Sequence, residues 1–443
     1  MKGPGPERDP AFFADIFILA ARPPSGITWR HRLAPIHTDP KIEARAAPHP
    51  VVFTILYLPF GAAGGFVGVA LAFLATRRGL SVMQGAELVA IGLLPQVWKF
   101  FWAPVADATL GRHRWYVISL ILCAAGTFAT AAVPLGPSTL TLIEGIVLLT
   151  SVACTFLGFA VEAMLAHVAP VGERGRFSGW FQSGNLGGAG IGGGLGLWLL
   201  TVLPSGWETG LVMAVLLLAC GGALAFVPLV PADPVGRSPV ALVRFTAVEL
   251  WQLLRSREGF LCGVLCLVPV GTGAASSVLG QAAVAAHWGA GADTVALVSG
   301  VLGGIVSMAG CMVGGYGCVR LGGRAGYVVY GAIMAGVALA MAFLPATSAV
   351  YIAGNLAYAF TAGLTFSAFS AFVLEVIAFR LAATKYNAFA SLANTPGWYM
   401  GLVLAGIVTK YSPRAMLEAE CALGIAGIVV FAAVARAWRP RAA

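Results

Sequence analysis

Long apolar segments separated by short basic loops are the feature that most restricts what this chain can fold into. Of its 443 residues, 59% are hydrophobic and only 10% are charged, whereas a soluble protein carries roughly 25% charged residues. A chain of this composition cannot cover a surface that faces water, so we expect it to be immersed in lipid. In hydrocarbon only helices and closed barrels satisfy the backbone hydrogen bonds. Because the apolar segments are long and do not alternate with period two, they predict helices.

The apolar segments form two groups of six on either side of the longest polar stretch. We predict twelve spans, near 50–74, 84–106, 115–134, 139–168, 177–203, 208–230, 259–286, 294–319, 323–345, 348–378, 386–409 and 414–436. The fold class is therefore an all-α integral membrane protein with twelve transmembrane helices in two pseudo-symmetric six-helix halves. The predicted units are an N-terminal tail (1–49), a first half (50–230), a central linker (231–258), a second half (259–437) and a C-terminal tail (438–443).

The tail and the linker differ from the spans. Residues 1–49 are rich in Pro and Arg and lack periodicity, so we expect a disordered cytoplasmic tail. The linker carries Arg237, Arg244, Arg255 and Arg257 and is long enough for one amphipathic helix on the membrane surface.

The net charge of +9 does not indicate nucleic-acid binding, because the basic residues lie in short loops between apolar segments. One side of the predicted membrane protein carries most of them, including Arg112, Arg114, Arg174, Arg176 and the linker arginines. The other side has Arg77, Arg78, Lys410 and Arg414. By the positive-inside rule the richer side faces the cytoplasm. We therefore expect both termini to be cytoplasmic and the membrane to be the bacterial inner membrane.

A short internal echo supports the division into halves. The segments "FAVEAMLAHVAP" (159–170) and "FVLEVIAFRLAA" (372–383) each place a glutamate three residues after a phenylalanine, at matching points of the fourth and tenth spans. Duplicated halves around a central site are typical of secondary transporters.

The loop after the second span carries the motif of a known family. In "APVADATLGRHR", the residues Asp107, Gly111, Arg112 and Arg114 resemble the signature loop of the major facilitator superfamily. Ala103 replaces the first glycine of that signature, and the spacing from aspartate to glycine is one residue longer. The resemblance implies a transporter that works by rocking two six-helix halves about a central site.

Three further motifs narrow the resemblance to AmpG-like permeases and their acetyl-CoA transporter relatives. These are "WKFFWAPVAD" (98–107), "GERGR" (172–176) and "AATKYNAFASLANTPGW" (382–398). The resemblance implies proton-driven import of anhydro-muropeptides, which are fragments of recycled cell wall. Glu162 stands where that group has an aspartate in the fourth span.

Lys99 is the first candidate site residue, because a charge deep in a bilayer costs several kcal/mol, by insertion scales about 2.5–3.5. It either extends towards the interface or faces a central cavity, where it could hold an anionic group. Glu162 lies at a similar depth, and the pair is either a proton switch or a static ion pair. Glu375 is the equivalent of Glu162 in the second half, where an interfacial ion pair with Arg380 is the alternative.

Charged residues at helix ends are candidates for gating, since carboxylates can bond helix N-termini and bases can bond C-terminal carbonyls. We assign this role to Asp107, Gly111, Arg112, Arg114, Glu173 and Arg174; the alternative is simple capping and topology. Polar and aromatic residues within spans predict a wet cavity for a polar ligand, with contacts between helices as the alternative. They are Tyr57, Gln96, Gln182, Asn185, Gln281, Asn355, Tyr358, Asn394, Trp398 and Tyr399.

The glycines of "SGNLGGAGIGGGLG" (183–196) lie inside a span, so they predict close helix packing and not a phosphate loop. We find no nucleophile with a converging base, no metal-ligand spacing and no ATPase motif, and so expect neither an enzyme nor a cofactor. The expected partners are a small-molecule substrate, an ion gradient (a proton gradient first) and lipid, with the chain as a monomer. Two alternatives remain: an exporter of amphipathic drugs or metabolites, and a membrane sensor with a transporter fold.

Overall fold

A computed structural model describes residues 47–78, 80, 82–230, 239–377 and 381–438 of the chain. The described part is built of helices and contains no strand, which confirms the all-α prediction. Most of the predicted N-terminal tail, Arg237, Arg380 and residues 439–443 lie outside the described residues.

The first half contains six successive helical spans. Span 1 runs through Val51–Gly65, Phe66–Leu71 and Ala72–Arg77; span 2 comprises Val82–Trp98, Lys99–Phe101 and Ala103–Ala108; span 3 is Arg112–Ala132; span 4 is Leu140–Val168; span 5 is Arg174–Val202; and span 6 is Gly206–Cys220 with Gly221–Phe226.

The second half repeats this plan after a linker helix, Pro239–Arg255. Span 7 comprises Arg257–Leu267, Ala274–Leu279, Ala282–Ala285 and Ala286–Trp288; span 8 comprises Ala292–Leu297, Val298–Leu302 and Gly303–Leu321; span 9 is Gly323–Phe343; span 10 is Ser348–Val376; span 11 is Ala382–Lys410; and span 12 is Pro413–Ala437. The twelve predicted spans are thus all present as helices or chains of helices.

Nine helices of the described residues are long and apolar enough to cross a membrane unaided. The other three spans differ for identifiable reasons. Span 2 changes to a 3₁₀ turn at Lys99–Phe101 before restarting with Pro104 in its first turn. Span 7 breaks after Leu267, where Pro269 cannot donate to a helix and Gly271 and Gly273 both adopt φ +61°. Span 11 is continuous but carries many polar residues, among them Thr384 and Asn387, which contact the first half, and Asn394, which lines the cavity described below.

Glycines let span 5 approach its neighbours at backbone distance. A Cβ on Gly192 would lie 2.1 Å from the carbonyl oxygen of Ala62 on span 1. On the other side of span 5, a Cβ on Gly190 would lie 2.7 Å from the Cα of Gly304 on span 8. Close packing of small residues holds helices together in lipid, where no hydrophobic effect draws them. The prediction for the glycine-rich segment is therefore in agreement with the packing observed.

We expect Gly192→Ala to destabilise the fold, because the new methyl group meets a backbone carbonyl that cannot rotate away. Overpacking costs roughly 1–3 kcal/mol. Gly145→Ala on span 4 is the matched control, since a Cβ there meets nothing within 4 Å. Thermal unfolding in detergent measures both variants. Equal midpoints for the two would show that spans 1 and 5 can separate without loss of stability.

The two ends of the bundle differ in charge. We call "the basic end" the end that carries Arg112, Arg174 and the linker helix Pro239–Arg255, and the other end "the opposite end". At the basic end the linker helix turns Thr246 and Glu249 towards the bundle and leaves Trp251 58% exposed. A helix was predicted for this segment, and its exposed apolar face fits the predicted position at the membrane surface.

Candidate functional site

A cavity of about 580 Å³ lies between the two halves. Small-molecule sites typically occupy about 300–1,000 Å³, so the cavity has room for one such ligand. Its first-half wall comes from spans 1, 2, 4 and 5, and its second-half wall from spans 7, 9, 10 and 11. Exposure rises from Glu162 (1%) and Lys99 (8%) to Leu93 (59%), which lies nearer the opposite end. The most deeply buried lining residues thus lie towards the basic end, and the exposed part of the lining lies towards the opposite end.

Lys99 lies in the wall at the closed end of the cavity. The 3₁₀ turn that interrupts span 2 begins at this residue, so the lysine sits at a bend and not in the middle of a straight helix. Among the described residues, its ammonium group forms no hydrogen bond and no ion pair within 4 Å; its recorded contact is with the ring of Phe60, at 6.0 Å from the centroid. The charge is thus available to a ligand.

Glu162, on span 4, is held by two neutral donors. The Tyr57 hydroxyl donates to its Oε1 at 3.3 Å, and the Asn387 amide donates to its Oε2 at 2.5 Å. Tyr57 belongs to the first half and Asn387 to the second, so the bond from Asn387 joins the halves. Lys99 is close enough to attract the carboxylate but does not form the predicted ion pair in this conformation.

Aromatic rings and amides surround these two charges. Tyr57 stacks on Phe60 and on Phe181, with centroids 4.7 and 4.1 Å apart. Of the predicted polar residues, five line the cavity besides the two charges: Tyr57, Gln96, Gln182, Asn185 and Asn394. Such a lining offers ring faces and amide groups to a polar ligand.

A second polar layer crosses between the halves beside Glu162. The Gln182 amide of span 5 donates to the Ser370 hydroxyl of span 10 at 2.6 Å, and Ser370 lies 2.6 Å from the Tyr386 hydroxyl of span 11. Sequence reasoning missed Ser370, Tyr386 and Asn387. The last two lie inside the segment 382–398 that carries a family motif, so the motif was the available signal.

Asp107 closes the cavity at the basic end. Its carboxylate accepts bonds from the backbone N–H groups of Ala383 (3.3 Å) and Thr384 (2.8 Å) and from the Thr384 hydroxyl (2.7 Å). These donors form the first turn of span 11, which begins directly after Leu381 at φ 50°. A carboxylate at a helix N-terminus satisfies unpaired N–H groups and the positive end of the helix dipole. The aspartate of the first half therefore caps a helix of the second half.

Arg112 holds this aspartate in place. Its guanidinium donates to the Asp107 carbonyl at 3.1 Å and to Oδ1 at 3.4 Å, and both side chains are fully buried. The next residue of span 11, Lys385, donates from its ammonium group to Glu249 of the linker helix at 2.7 Å. Buried charges of this kind are costly unless paired, and these contacts join span 11 to the first half and to the linker helix at the basic end.

Comparison with known proteins identifies the chain. The sequence profile of the family described as Major Facilitator Superfamily matches residues 53–401. The chain belongs to the Major Facilitator Superfamily. No curated protein sequence matches it.

Solved structures share the fold of this superfamily member. The human organic anion transporter MFSD10 (TETRAN) is 15% identical with a TM-score of 0.66, and the match covers 86% of this chain and 98% of that one. The proton:xylose symporter XylE bound to 6-bromo-6-deoxy-D-glucose is 14% identical (TM-score 0.60; 86% and 94%). FucP in the outward conformation is 16% identical (TM-score 0.61; 87% and 97%). The chain is thus a membrane transporter by fold and family, not an enzyme.

Several predicted site residues of this transporter lie outside the cavity. Glu375 is exposed at the end of span 10 and accepts a bond from the Gly323 N–H at 2.9 Å. Tyr358 and Asn355 are buried inside the second half, and Gln281 and Trp398 are exposed away from the cavity lining. The symmetric role predicted for Glu162 and Glu375 is therefore not reflected in their positions: the first faces the cavity, and the second caps span 9.

The remaining gating candidates have unequal surroundings. Glu173 pairs with Arg176 at 3.1 Å on the surface, and Arg174 is attracted by Glu375 across the halves. Gly111 precedes span 3, where a Cβ would meet only a carbonyl 4.0 Å away, and Arg114 is exposed. Neither of the last two joins the halves through a contact among the described residues.

Glu420 is a buried carboxylate that the sequence analysis overlooked. On span 12, it accepts bonds from the Tyr358 hydroxyl at 2.6 Å and from the Ala275 N–H at 3.2 Å, just after the break in span 7. It lies inside the predicted span 414–436, so a charge within an apolar segment was the available signal. It holds the broken span and does not line the cavity.

Proposed function

We propose that this transporter moves a polar organic solute with an anionic group across the membrane by alternating access, driven by protons. The observation that carries the proposal is the ammonium group of Lys99 at the closed end of the cavity, with no ion-pair partner among the described residues. A charge at this depth without a bonded partner costs several kcal/mol, about 2.5–3.5 by insertion scales. An anionic ligand would supply the missing partner.

The substrate class that best fits is a muropeptide or a related amino-sugar conjugate. Its carboxylate would bind Lys99, its sugar ring would stack on the partly exposed ring of Phe60, and its amides and hydroxyls would bond Gln96, Asn185 and Asn394. The motifs that resemble AmpG-like permeases support the same class.

Glu162 is the proposed proton site. It faces the cavity beside Lys99, and its donors Tyr57 and Asn387 can bond a carboxylate or a carboxylic acid. A proton that enters from the open side neutralises it. When the cavity then changes the side to which it opens, the proton on Glu162 reaches the other side of the membrane.

Asp107 and Arg112 are the proposed gate, since their bonds to span 11 hold the basic end shut. With the basic end in the cytoplasm of a bacterial inner-membrane protein, the conformation described here faces outward. The proposed functional unit is a monomer, because one chain supplies both walls of the cavity.

Uptake of radiolabelled anhydro-muropeptide into right-side-out and inverted membrane vesicles tests the proposal. We expect accumulation in right-side-out vesicles that a protonophore abolishes. Absence of uptake in vesicles with verified, folded protein would remove this substrate class.

An exporter of amphipathic compounds is the second candidate, favoured by the apolar mouth of the cavity at Leu93 and Phe366. Accumulation of a lipophilic dye in inverted vesicles, insensitive to Lys99→Ala, would favour it over import of an anion.

A further inference from the structure

The first two turns of span 11 are bound by three carboxylates that lie outside the second half. Ala383 and Thr384 donate to Asp107, Lys385 donates to Glu249, and Asn387 donates to Glu162. Contacts with the first half and with the linker helix therefore hold the start of span 11 at the basic end.

These three carboxylates differ in their access to the cavity. Asp107 is fully buried against Arg112, and Glu249 is paired with Lys385 at the linker helix. Neither lines the cavity, whereas Glu162 does. Of these three carboxylates, therefore, only Glu162 can respond directly to a change of charge in the cavity.

We propose that Asn387 is the positioning residue that transmits the charge of Glu162 to the closure of the basic end. The inference rests on the proposed proton role of Glu162 and deepens it. While Glu162 is ionised, the bond from Asn387 is charge-assisted, and such bonds are about twice as strong as neutral ones. Neutralisation of Glu162 weakens the bond and loosens the start of span 11.

The amide of Asn387 is placed to respond to this change. Its Nδ2 donates both to Glu162 and to the carbonyl of Ala383 at 2.8 Å, while its Oδ1 is buried without a partner among the described residues. An ionised carboxylate accepts bonds only, so it selects the orientation with Nδ2 towards it. A protonated carboxyl can also donate to Oδ1. The amide can then reverse, and Ala383, whose N–H is held by Asp107, loses its bond to Nδ2.

Other groups around Glu162 set the background for its titration. Spans 1, 2, 3 and 11 pack against span 4. The charged or titratable side chains that face Glu162 from them are Tyr57, Lys99, Asp107 and Tyr386. Cys123 of span 3 instead contacts Cys154 at 3.0 Å. Lys99 is the single cation in this group, and so an anionic ligand that engages it also changes the field at Glu162.

A distance measurement across the basic end tests the proposal without a substrate. Spin labels on unnatural amino acids at the exposed positions of Arg114 and Arg320 report the separation of the halves in nanodiscs, with all eight native cysteines retained. In the wild type we expect the ratio of forms with the basic end open to forms with it closed to rise about fivefold from alkaline to acidic buffer. This change corresponds to the difference in strength between a hydrogen bond to an ionised carboxylate and one to a neutral carboxyl group.

Five single variants and one double variant make the test specific. Glu162→Gln and Asn387→Leu should each raise the open fraction in alkaline buffer and remove the response to pH, and the double variant should add nothing. Asn387→Ala, whose side chain has no hydrogen-bond donor and no titratable group, should act like Asn387→Leu. Asn355→Leu is the matched control, because the Asn355 amide bonds the Tyr351 carbonyl of its own helix; it should behave as the wild type. Asp107→Asn, the positive control for opening, should raise the open fraction at every pH.

The outcomes separate this inference from the proposed function. If Asn387→Leu and Asn387→Ala respond to pH as the wild type does while Glu162→Gln does not, Asn387 transmits nothing and the proton role of Glu162 stands. If the wild type shows no response, or if Glu162→Gln keeps it, both the proton role and the inference are wrong.

Discussion

We expect Lys99→Ala to weaken the binding and uptake of an anionic substrate strongly, while leaving insertion and folding intact. A hydrogen bond to a charged group contributes about 1.5–3 kcal/mol, which corresponds to about 10- to 150-fold in affinity. The lysine has no ion-pair partner among the described residues. Its removal therefore breaks no ion pair among them. The fold should lose little stability, and the effect should fall on the ligand.

The measurement is the concentration dependence of uptake in vesicles that contain equal amounts of folded protein. Lys99→Arg keeps the charge and should retain part of the affinity. Lys410→Ala is the matched control, because Lys410 is exposed at the far end of span 11, at the opposite end of the bundle. Uptake by Lys99→Ala with an unchanged KM would contradict the role of Lys99 in anion binding.

Composition and periodicity were sufficient to predict the fold. Twelve apolar segments in two groups can satisfy their backbone groups in lipid only as helices, and the family match confirms the transporter architecture. The breaks were harder to predict. Span 2 contains Pro95 and Pro104, but Pro95 lies inside the helix Val82–Trp98 and the 3₁₀ turn forms at Lys99.

The candidate site was predicted in part, because depth in a span can be counted from the sequence but facing cannot. Lys99 and Glu162 were selected as charges within apolar segments, and both line the cavity. Glu375 and Tyr358 are also polar residues within apolar segments, but they lie elsewhere. Neighbouring helices decide which face of a helix points towards the cavity. The hydrogen bonds of Asn387 and Glu420 join them to partners 225 and 62 residues away in the chain. No local pattern encodes such contacts.

Glu162→Gln should separate exchange from accumulation. Glutamine resembles the protonated carboxyl in shape and charge, and its amide can still bond Tyr57 and Asn387. A variant that mimics the protonated form can carry substrate in both directions but cannot release a proton. With one proton per substrate, a difference of one pH unit sustains about tenfold accumulation, so this gradient-driven accumulation should vanish in the variant.

Two assays on the same vesicles distinguish these effects. Counterflow, in which unlabelled substrate inside exchanges with labelled substrate outside, should continue in Glu162→Gln. Accumulation driven by an imposed pH difference should fall to the equilibrium level. Glu144→Gln, on the same span but outside the cavity lining, should keep both activities. Both assays require binding and the change of conformation, so loss of accumulation alone locates the defect in proton coupling. Loss of both activities would mean that the carboxylate itself is needed for binding or closure. Retention of both would exclude Glu162 as the proton carrier.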